Sequence, residues 1–235
     1  MNSISWIFSL IIPMILHMLL SDAAVILVGQ SGDATLCTTL AAVLTIPVAV
    51  CMFYWDKKRG ITTGNDGQNV SGYRINRNDR AESEKCQGEL NRNNRQIFFG
   101  ILCFMAGGIL NMAWSGILNL IQIGEIFSNS TQEALLASEM ALQIVGLGIL
   151  VPIGEELIFR GLIYNRMKQM LSVKMSIFFS SLLFALYHGN PIQMIFSFPM
   201  ALALTAVYEH GKLFLFPVLF HMGANLTAVF ANFFS

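Results

Sequence analysis

Charged residues are scarce in this sequence. They make up 12% of the 235 residues, well below the share in ordinary soluble proteins, whereas hydrophobic residues make up 54%. The mean hydropathy of +0.60 agrees with that imbalance. A soluble globular domain is therefore excluded, and most of the chain is predicted to lie in the hydrocarbon of a lipid bilayer.

Two further absences narrow the function. The formal net charge is zero and no basic stripe with interleaved aromatic residues occurs, so nothing points to nucleic acid as a partner. The four cysteines show no Cys-x-x-Cys spacing, and the His-Glu-x-x-His pattern of many zinc peptidases is missing. We therefore interpret the cysteines as small apolar residues in helices rather than as a disulfide framework or a metal cluster.

Long apolar sequence is what the chain has in abundance. About 20 apolar residues in a helix cross the hydrocarbon core of a bilayer. Seven stretches approach or exceed that length, although the fifth is short and the sixth only just long enough. We predict an all-α fold, a polytopic transmembrane helix bundle of about seven spans, at residues 4–29, 35–55, 96–124, 138–164, 175–188, 192–208 and 213–234.

The positions of Lys and Arg predict the orientation of the bundle. Of the 14 basic residues, 13 fall in the segments 56–95, 166–174 and 209–212, and the opposite loops contain none. Basic residues favour the cytoplasmic side, so the N-terminus is predicted to be cytoplasmic. The polar segment 56–95 is predicted to be a flexible cytoplasmic loop, between two helices in 1–55 and a helical core in 96–235.

Ionisable side chains inside apolar spans are costly, so they are the first candidates for function. In the fourth predicted span, Glu155 and Glu156 are adjacent and therefore point about 100° apart on a helix. Arg160 lies four residues after Glu156 and can pair with it on one face. Glu155 is then left to face a cavity, where a carboxylate can act as a general base. The structural alternative is a buried ion-pair cluster that only holds helices together.

Two further polar pairs lie in later spans. Phe184 and His188 are four residues apart at the end of the fifth span, and His221 and Asn225 are four apart in the last one. Each pair therefore shares one helix face. Taken alone, His188 is typical of a satisfied residue at a helix end, and His221 with Asn225 is compatible with hydrogen bonds between helices.

Together, these residues form a pattern that is more specific than any of its parts. Written as Glu-Glu-x-x-x-Arg, Phe-x-x-x-His and His-x-x-x-Asn, it resembles the CPBP family, which includes the type II CAAX prenyl endopeptidases and bacteriocin-processing proteins. The resemblance covers about residues 151–225 and not the first three spans. It implies an intramembrane endopeptidase with a catalytic core in the C-terminal helices. The candidate catalytic residues are Glu155, Glu156, Arg160, His188, His221 and Asn225.

The resemblance also implies a role for each residue. Glu155 and His188 would hold and deprotonate the attacking water. His221 and Asn225 would polarise the scissile carbonyl or donate hydrogen bonds to the oxyanion. Glu156 and Arg160 would fix the position of the helix and adjust the basicity of Glu155.

A divalent metal ion is the alternative activator of the water. Glu155, His188, His221 and Asn225 are then the candidate ligands of an ion such as zinc, which lowers the pKa of a bound water. Asparagine is a weak zinc ligand, and the family is described both as metallopeptidases and as glutamate-dependent. The sequence is compatible with both mechanisms.

The predicted function is hydrolysis of a peptide bond in a peptide or membrane-protein substrate within the lipid bilayer, which is the plasma membrane if the source is bacterial. The alternative is a non-catalytic immunity or partner-binding membrane protein of the same fold, which would sequester a toxin such as a bacteriocin. A transporter that uses the buried carboxylates and histidines as a proton relay is a third hypothesis. His17, in the first span, has no partner visible in the sequence and is interpreted as incidental.

Overall fold

Helices make up almost all of the chain that the structure describes. The computed structural model describes residues 3–29, 32–61, 79–127 and 130–234. Two short helices, Ile123–Ile126 and Ser130–Leu135, lie between the third and fourth long helices. The long helices in these ranges are α1 (Ser3–Val28), α2 (Ala34–Lys58), α3 (Asp79–Leu120), α4 (Met140–Met167), α5 (Val173–Tyr187), α6 (Pro191–Gly211) and α7 (Leu215–Phe234).

Within the described ranges, six of these helices are long and apolar enough to cross a membrane, and α5 is the shorter exception. Its 15 residues extend over about 22 Å, less than the roughly 30 Å of hydrocarbon in a bilayer. The helices confirm the predicted all-α polytopic bundle of about seven spans. The chain is an integral, multi-pass membrane protein.

The predicted loop at 56–95 was wrong in its extent. α2 continues to Lys58, and α3 begins at Asp79, so residues 79–95 are helical. This part of α3 is polar, but it is rich in Ala, Glu, Lys, Arg and Gln, which favour a helix whether or not a membrane surrounds it. Residues 62–78 of the predicted loop lie outside the described residues.

Helices α3 and α7 pack with their backbones in close contact. A Cβ atom placed on Gly107 would lie 1.9 Å from the carbonyl oxygen of Phe220, and one placed on Gly223 would lie 2.0 Å from that of Phe104. Lipid tails are as apolar as leucine side chains, so helices in a membrane associate through close packing rather than through the hydrophobic effect. The two glycines permit this approach and thereby set the position of α7.

Ion pairs join α2, α4 and α6 at one end of the bundle. Arg166 donates to Asp56 across 2.6 Å, and Lys168, just after α4, donates to Glu209 on α6 across 2.9 Å. Arg166 and Asp56 are both buried, so this pair is shielded from screening by salt. The start of the segment 56–95 and the segments 166–174 and 209–212 therefore meet on the same side of the bundle.

At the other end of the bundle, Asp33 caps α2. Its carboxylate accepts hydrogen bonds from the backbone N–H groups of Thr35 and Leu36 and from the hydroxyl of Ser138. The Ser138 hydroxyl, together with the two N–H groups, holds the pKa of the Asp33 carboxyl below its usual value. The cap therefore links the start of α2 to the segment that precedes α4.

We expect Gly223→Ala to destabilise the bundle, because the added methyl group meets the backbone of α3 and forces α7 away from it. The expected loss is about 1–3 kcal/mol, as in other overpacked cores, with a lower midpoint of thermal unfolding in detergent. Gly116→Ala on α3 is the matched control, because nothing lies within 4 Å of a Cβ atom there. Equal midpoints for the two variants would contradict the close packing of α3 and α7.

Candidate active site

The paired glutamates lie on α4 between two π-helical stretches. These stretches are Gln143–Leu150 and Leu157–Tyr164, and the α-helical segment Val151–Glu156 separates them. π-Helical turns are rare and occur frequently at functional sites. Of the six candidate spans, α4 is also the most buried. The carboxylates therefore lie on an irregular helix in the interior of the bundle.

Glu156 and Arg160 form the buried ion pair that their spacing predicts. Arg160 Nη1 lies 2.9 Å from Glu156 Oε1, and the two residues are 1% and 0% exposed. Arg160 also donates to the carbonyl oxygen of Ala201 and to the hydroxyl of Thr205, both on α6. Its guanidinium lies over the ring of Phe184 on α5, 4.7 Å from the centroid. One arginine thus neutralises Glu156 and ties α4 to α5 and α6.

His221 on α7 faces both carboxylates. Its Nδ1 lies 2.8 Å from Glu156 Oε1, and its Nε2 lies 3.6 Å from Glu155 Oε2. A carboxylate only accepts hydrogen bonds, so Nδ1 carries a hydrogen and donates it to Glu156. The Nε2 contact is longer than a hydrogen bond, which leaves that nitrogen and the Glu155 oxygen available to a third group.

Glu155 lines a cavity of about 220 Å³, as predicted for the carboxylate that does not pair with Arg160. Its relative exposure of 8% places it at the inner wall of that cavity. The remaining walls come from α1, α2, α4 and α5, through His17, Ser21, Val25, Cys37, Thr38, Ala41, Ala42, Val151, Gly154 and Tyr187. Two helices outside the motif-bearing segment therefore help to enclose Glu155.

His188 caps the end of α5. Its Nδ1 lies 2.8 Å from the carbonyl oxygen of Phe184, so Nδ1 donates to that oxygen and Nε2 is left as the second polar atom of the ring. The Phe184 ring lies between two histidines, with centroid distances of 4.9 Å to His188 and 6.0 Å to His221. The phenylalanine of the second motif therefore connects His188 to the other site residues.

The side chain of Asn225 supplies a hydrogen-bond donor in place of a backbone N–H group that α4 lacks. In the π-helical stretch, the N–H of Val151 bonds to the carbonyl oxygen of Gly146, five residues earlier. The next backbone N–H along the helix, that of residue 152, would bond to the carbonyl oxygen of Leu147. Residue 152 is a proline, however, and has no N–H group. The Asn225 amide donates to the Leu147 oxygen instead, across 2.9 Å. α7 is thereby anchored to α4 one helical turn beyond His221.

The interpretation of His17 as incidental was wrong with respect to its contacts. Its Nδ1 lies 2.8 Å from the hydroxyl of Thr45 on α2, and its ring packs against that of Tyr187 on α5. It also lines the same cavity as Glu155. One feature of the sequence could have indicated that His17 is not incidental, because a histidine in the middle of an apolar span is by default a functional candidate.

The arrangement does not provide a ready metal site. In the described part of the chain, no group of three His, Cys, Asp or Glu side chains is placed to hold a metal ion. Glu155 Oε2 and His221 Nε2, 3.6 Å apart, are two suitable ligand atoms, whereas the Asn225 amide is bonded to Leu147. The metal hypothesis stays a prediction.

We expect Asn225→Ala to lower the free energy of unfolding by about 1–3 kcal/mol, because the Leu147 carbonyl loses its donor in a buried environment. In a Pro152→Ala background, the restored backbone N–H should reduce this loss by about 1 kcal/mol. The measurement is a double-mutant cycle of unfolding in detergent micelles. Asn232→Ala, at an exposed position on the same helix, is the control and should show no coupling to Pro152.

Comparison with known proteins is consistent with this site. Residues 137–227 match the family model described as Type II CAAX prenyl endopeptidase Rce1-like. The matched segment contains all three motifs and leaves α1, α2 and α3 outside it. Neither the curated proteins nor the solved structures contain a significant match. Over residues 137–227, which are less than half of the chain, this protein is therefore similar to the type II CAAX prenyl endopeptidases.

Proposed function

We propose that this protein is an endopeptidase in which Glu155 is the general base that activates water inside the membrane. The observation that carries the proposal is the asymmetry of the glutamate pair. Glu156 is fully buried and neutralised by Arg160, whereas Glu155 lines a cavity and has no arginine partner among the described contacts. Two adjacent carboxylates in unlike environments are typical of an acid–base site.

In the first step, a water in the cavity loses a proton to Glu155, and its oxygen attacks the carbonyl carbon of the scissile peptide bond. His188 is proposed to hold the water, because its Nδ1 is occupied by the Phe184 carbonyl and only Nε2 can accept from an O–H group. The C=O double bond becomes a single bond, and the negative charge moves to its oxygen.

His221 and Asn225 are proposed to stabilise that oxyanion. His221 Nε2 lies 3.6 Å from Glu155 Oε2, beside the proposed position of the water, and with a hydrogen on this atom the ring can donate to the oxyanion. The Asn225 amide has a second N–H beyond the one bonded to Leu147. When the C–N bond breaks, the proton held by Glu155 passes to the leaving amine, and Glu155 regains its charge.

We expect Glu155→Gln to reduce peptide cleavage by about a hundredfold to ten-thousandfold, because an amide cannot accept the proton of the water. The assay uses protein reconstituted in vesicles. The first substrate is a peptide with a farnesylated cysteine three residues from its C-terminus, compared with the same peptide without the lipid. Glu133→Gln, at an exposed position, is the matched control and should keep wild-type activity.

The same assay separates the alternatives. Cleavage that is lost with a chelator and restored by zinc would support the metal-dependent mechanism. Cleavage that survives in the Glu155→Gln variant would remove Glu155 as the base. A wild-type protein that cleaves none of the peptides but still binds one, with or without Glu155, would support the non-catalytic immunity or partner-binding function instead.

We also propose that the N-terminus and the ends of α2, α4 and α6 face the cytoplasm. The ion pairs Asp56–Arg166 and Lys168–Glu209 bring the basic segments to one side, which is the side that the positive-inside rule assigns to the cytoplasm. We therefore expect alkaline phosphatase fused after Ser235 to be active in a bacterial host, and green fluorescent protein fused there to be dark. A fluorescent C-terminal fusion would place the C-terminus in the cytoplasm and would contradict the proposed orientation.

A further inference from the structure

His17 is an ionisable residue in the middle of an apolar helix. It is 7% exposed and lies on α1, outside the segment that matches the family. A polar ring in this position needs partners, and ionisable residues inside a membrane are candidates for function. The mechanism proposed above makes no use of it.

Two contacts hold the His17 ring in place. Its Nδ1 lies 2.8 Å from the hydroxyl of Thr45, and the Tyr187 ring lies 5.3 Å away between centroids. Thr45 occupies one of the two ring nitrogens, so Nε2 is the polar atom that can bind another group. An imidazole oriented through one nitrogen commonly acts through the other.

His17 and Glu155 line the same cavity of about 220 Å³. This volume is large enough for several waters or a short stretch of peptide backbone. The walls on α1 and α2 are small or carry hydroxyl groups, as at Ser21, Thr38 and Ala41. Such walls leave room for an extended chain. The hydroxyls of Ser21 and Thr38 donate to backbone carbonyl oxygens of their own helices, so towards a substrate they can act only as hydrogen-bond acceptors.

We propose that His17 is a substrate-binding residue, whose Nε2 hydrogen-bonds a backbone group of an extended peptide segment lying in this cavity beside Glu155. A peptide that enters the bilayer must satisfy its N–H and C=O groups within the protein, because lipid offers no partners. The limited volume of the cavity, about 220 Å³, favours a segment with small side chains next to the scissile bond. The inference rests on the proposed function, and it extends the substrate-binding site to α1 and α2.

A binding experiment can test this directly, because Cys37 lines the same cavity. Cys37 is kept as the single cysteine by changing Cys51, Cys86 and Cys103 to Ser, and Glu155→Gln prevents turnover. The rate at which a small maleimide alkylates Cys37 is measured in vesicles with increasing amounts of the farnesylated peptide. We expect the peptide to slow alkylation at least about fivefold at saturation. A rate that the peptide does not change would overturn the proposal.

The role of His17 is tested with His17→Phe in the same protein. We expect about tenfold more peptide to be needed for half-maximal protection of Cys37, which corresponds to the loss of one hydrogen bond. His17→Gln, which keeps a polar group in the cavity, should recover part of the affinity. His210→Phe is the control, since His210 is an exposed histidine. Equal peptide requirements for His17→Phe and wild type would remove His17 from the binding site.

A structural role for His17 predicts a different result. Thr45→Val removes the partner of the ring but leaves the imidazole in place. If the ring only stabilises the fold, His17→Phe and Thr45→Val lower the thermal midpoint alike and leave KM unchanged. With Glu155 intact, the proposal instead expects His17→Phe to raise KM about tenfold with kcat within about threefold.

The outcome is separable from that of the proposed function. Loss of cleavage in Glu155→Gln together with an unchanged KM in His17→Phe would retain the endopeptidase and overturn only the binding role of His17.

Discussion

The fully buried carboxylate of Glu156 is the constraint on which the rest of the site depends. Its Oε1 receives Arg160 at 2.9 Å and His221 at 2.8 Å, so one oxygen joins α4 to α7 and, through the arginine, to α6. Removing one partner of a buried ion pair costs about 3–5 kcal/mol, because the other charge is left without compensation. The neighbouring Glu155 is consequently not needed for this ion pair and can face the cavity.

The position of α7 follows from two features of the helix backbones. The glycines at 107 and 223 let the backbones of α3 and α7 approach closely, and the proline at 152 leaves a carbonyl on α4 that only a side chain can satisfy. Asn225 meets that carbonyl, and His221, one turn earlier, then reaches the two glutamates. The close packing at the glycines, the hydrogen bond of Asn225 and the contacts of His221 therefore all fix the position of α7.

The cavity beside Glu155 extends beyond the family-matched segment. Residues 137–227 supply the glutamates and the histidines of the motifs, but seven of the eleven residues that line the cavity lie on α1 and α2. Under the proposed function, these two helices would contact the substrate. Specificity in this protein is expected to reside in those two helices.

Hydropathy and helical spacing were enough to predict the apolar spans, the pairing of Glu156 with Arg160 and the exclusion of Glu155 from that pair, but not the polar start of α3. Hydropathy and the 3.6-residue helical period act locally, and a bilayer demands long apolar helices, so these features can be read along the chain. Only the tertiary structure decided that His17 meets Thr45, that Asn225 serves Leu147 and that Phe184 lies between two histidines. Such contacts depend on how helices pack across large sequence separations, and no local pattern encodes the packing.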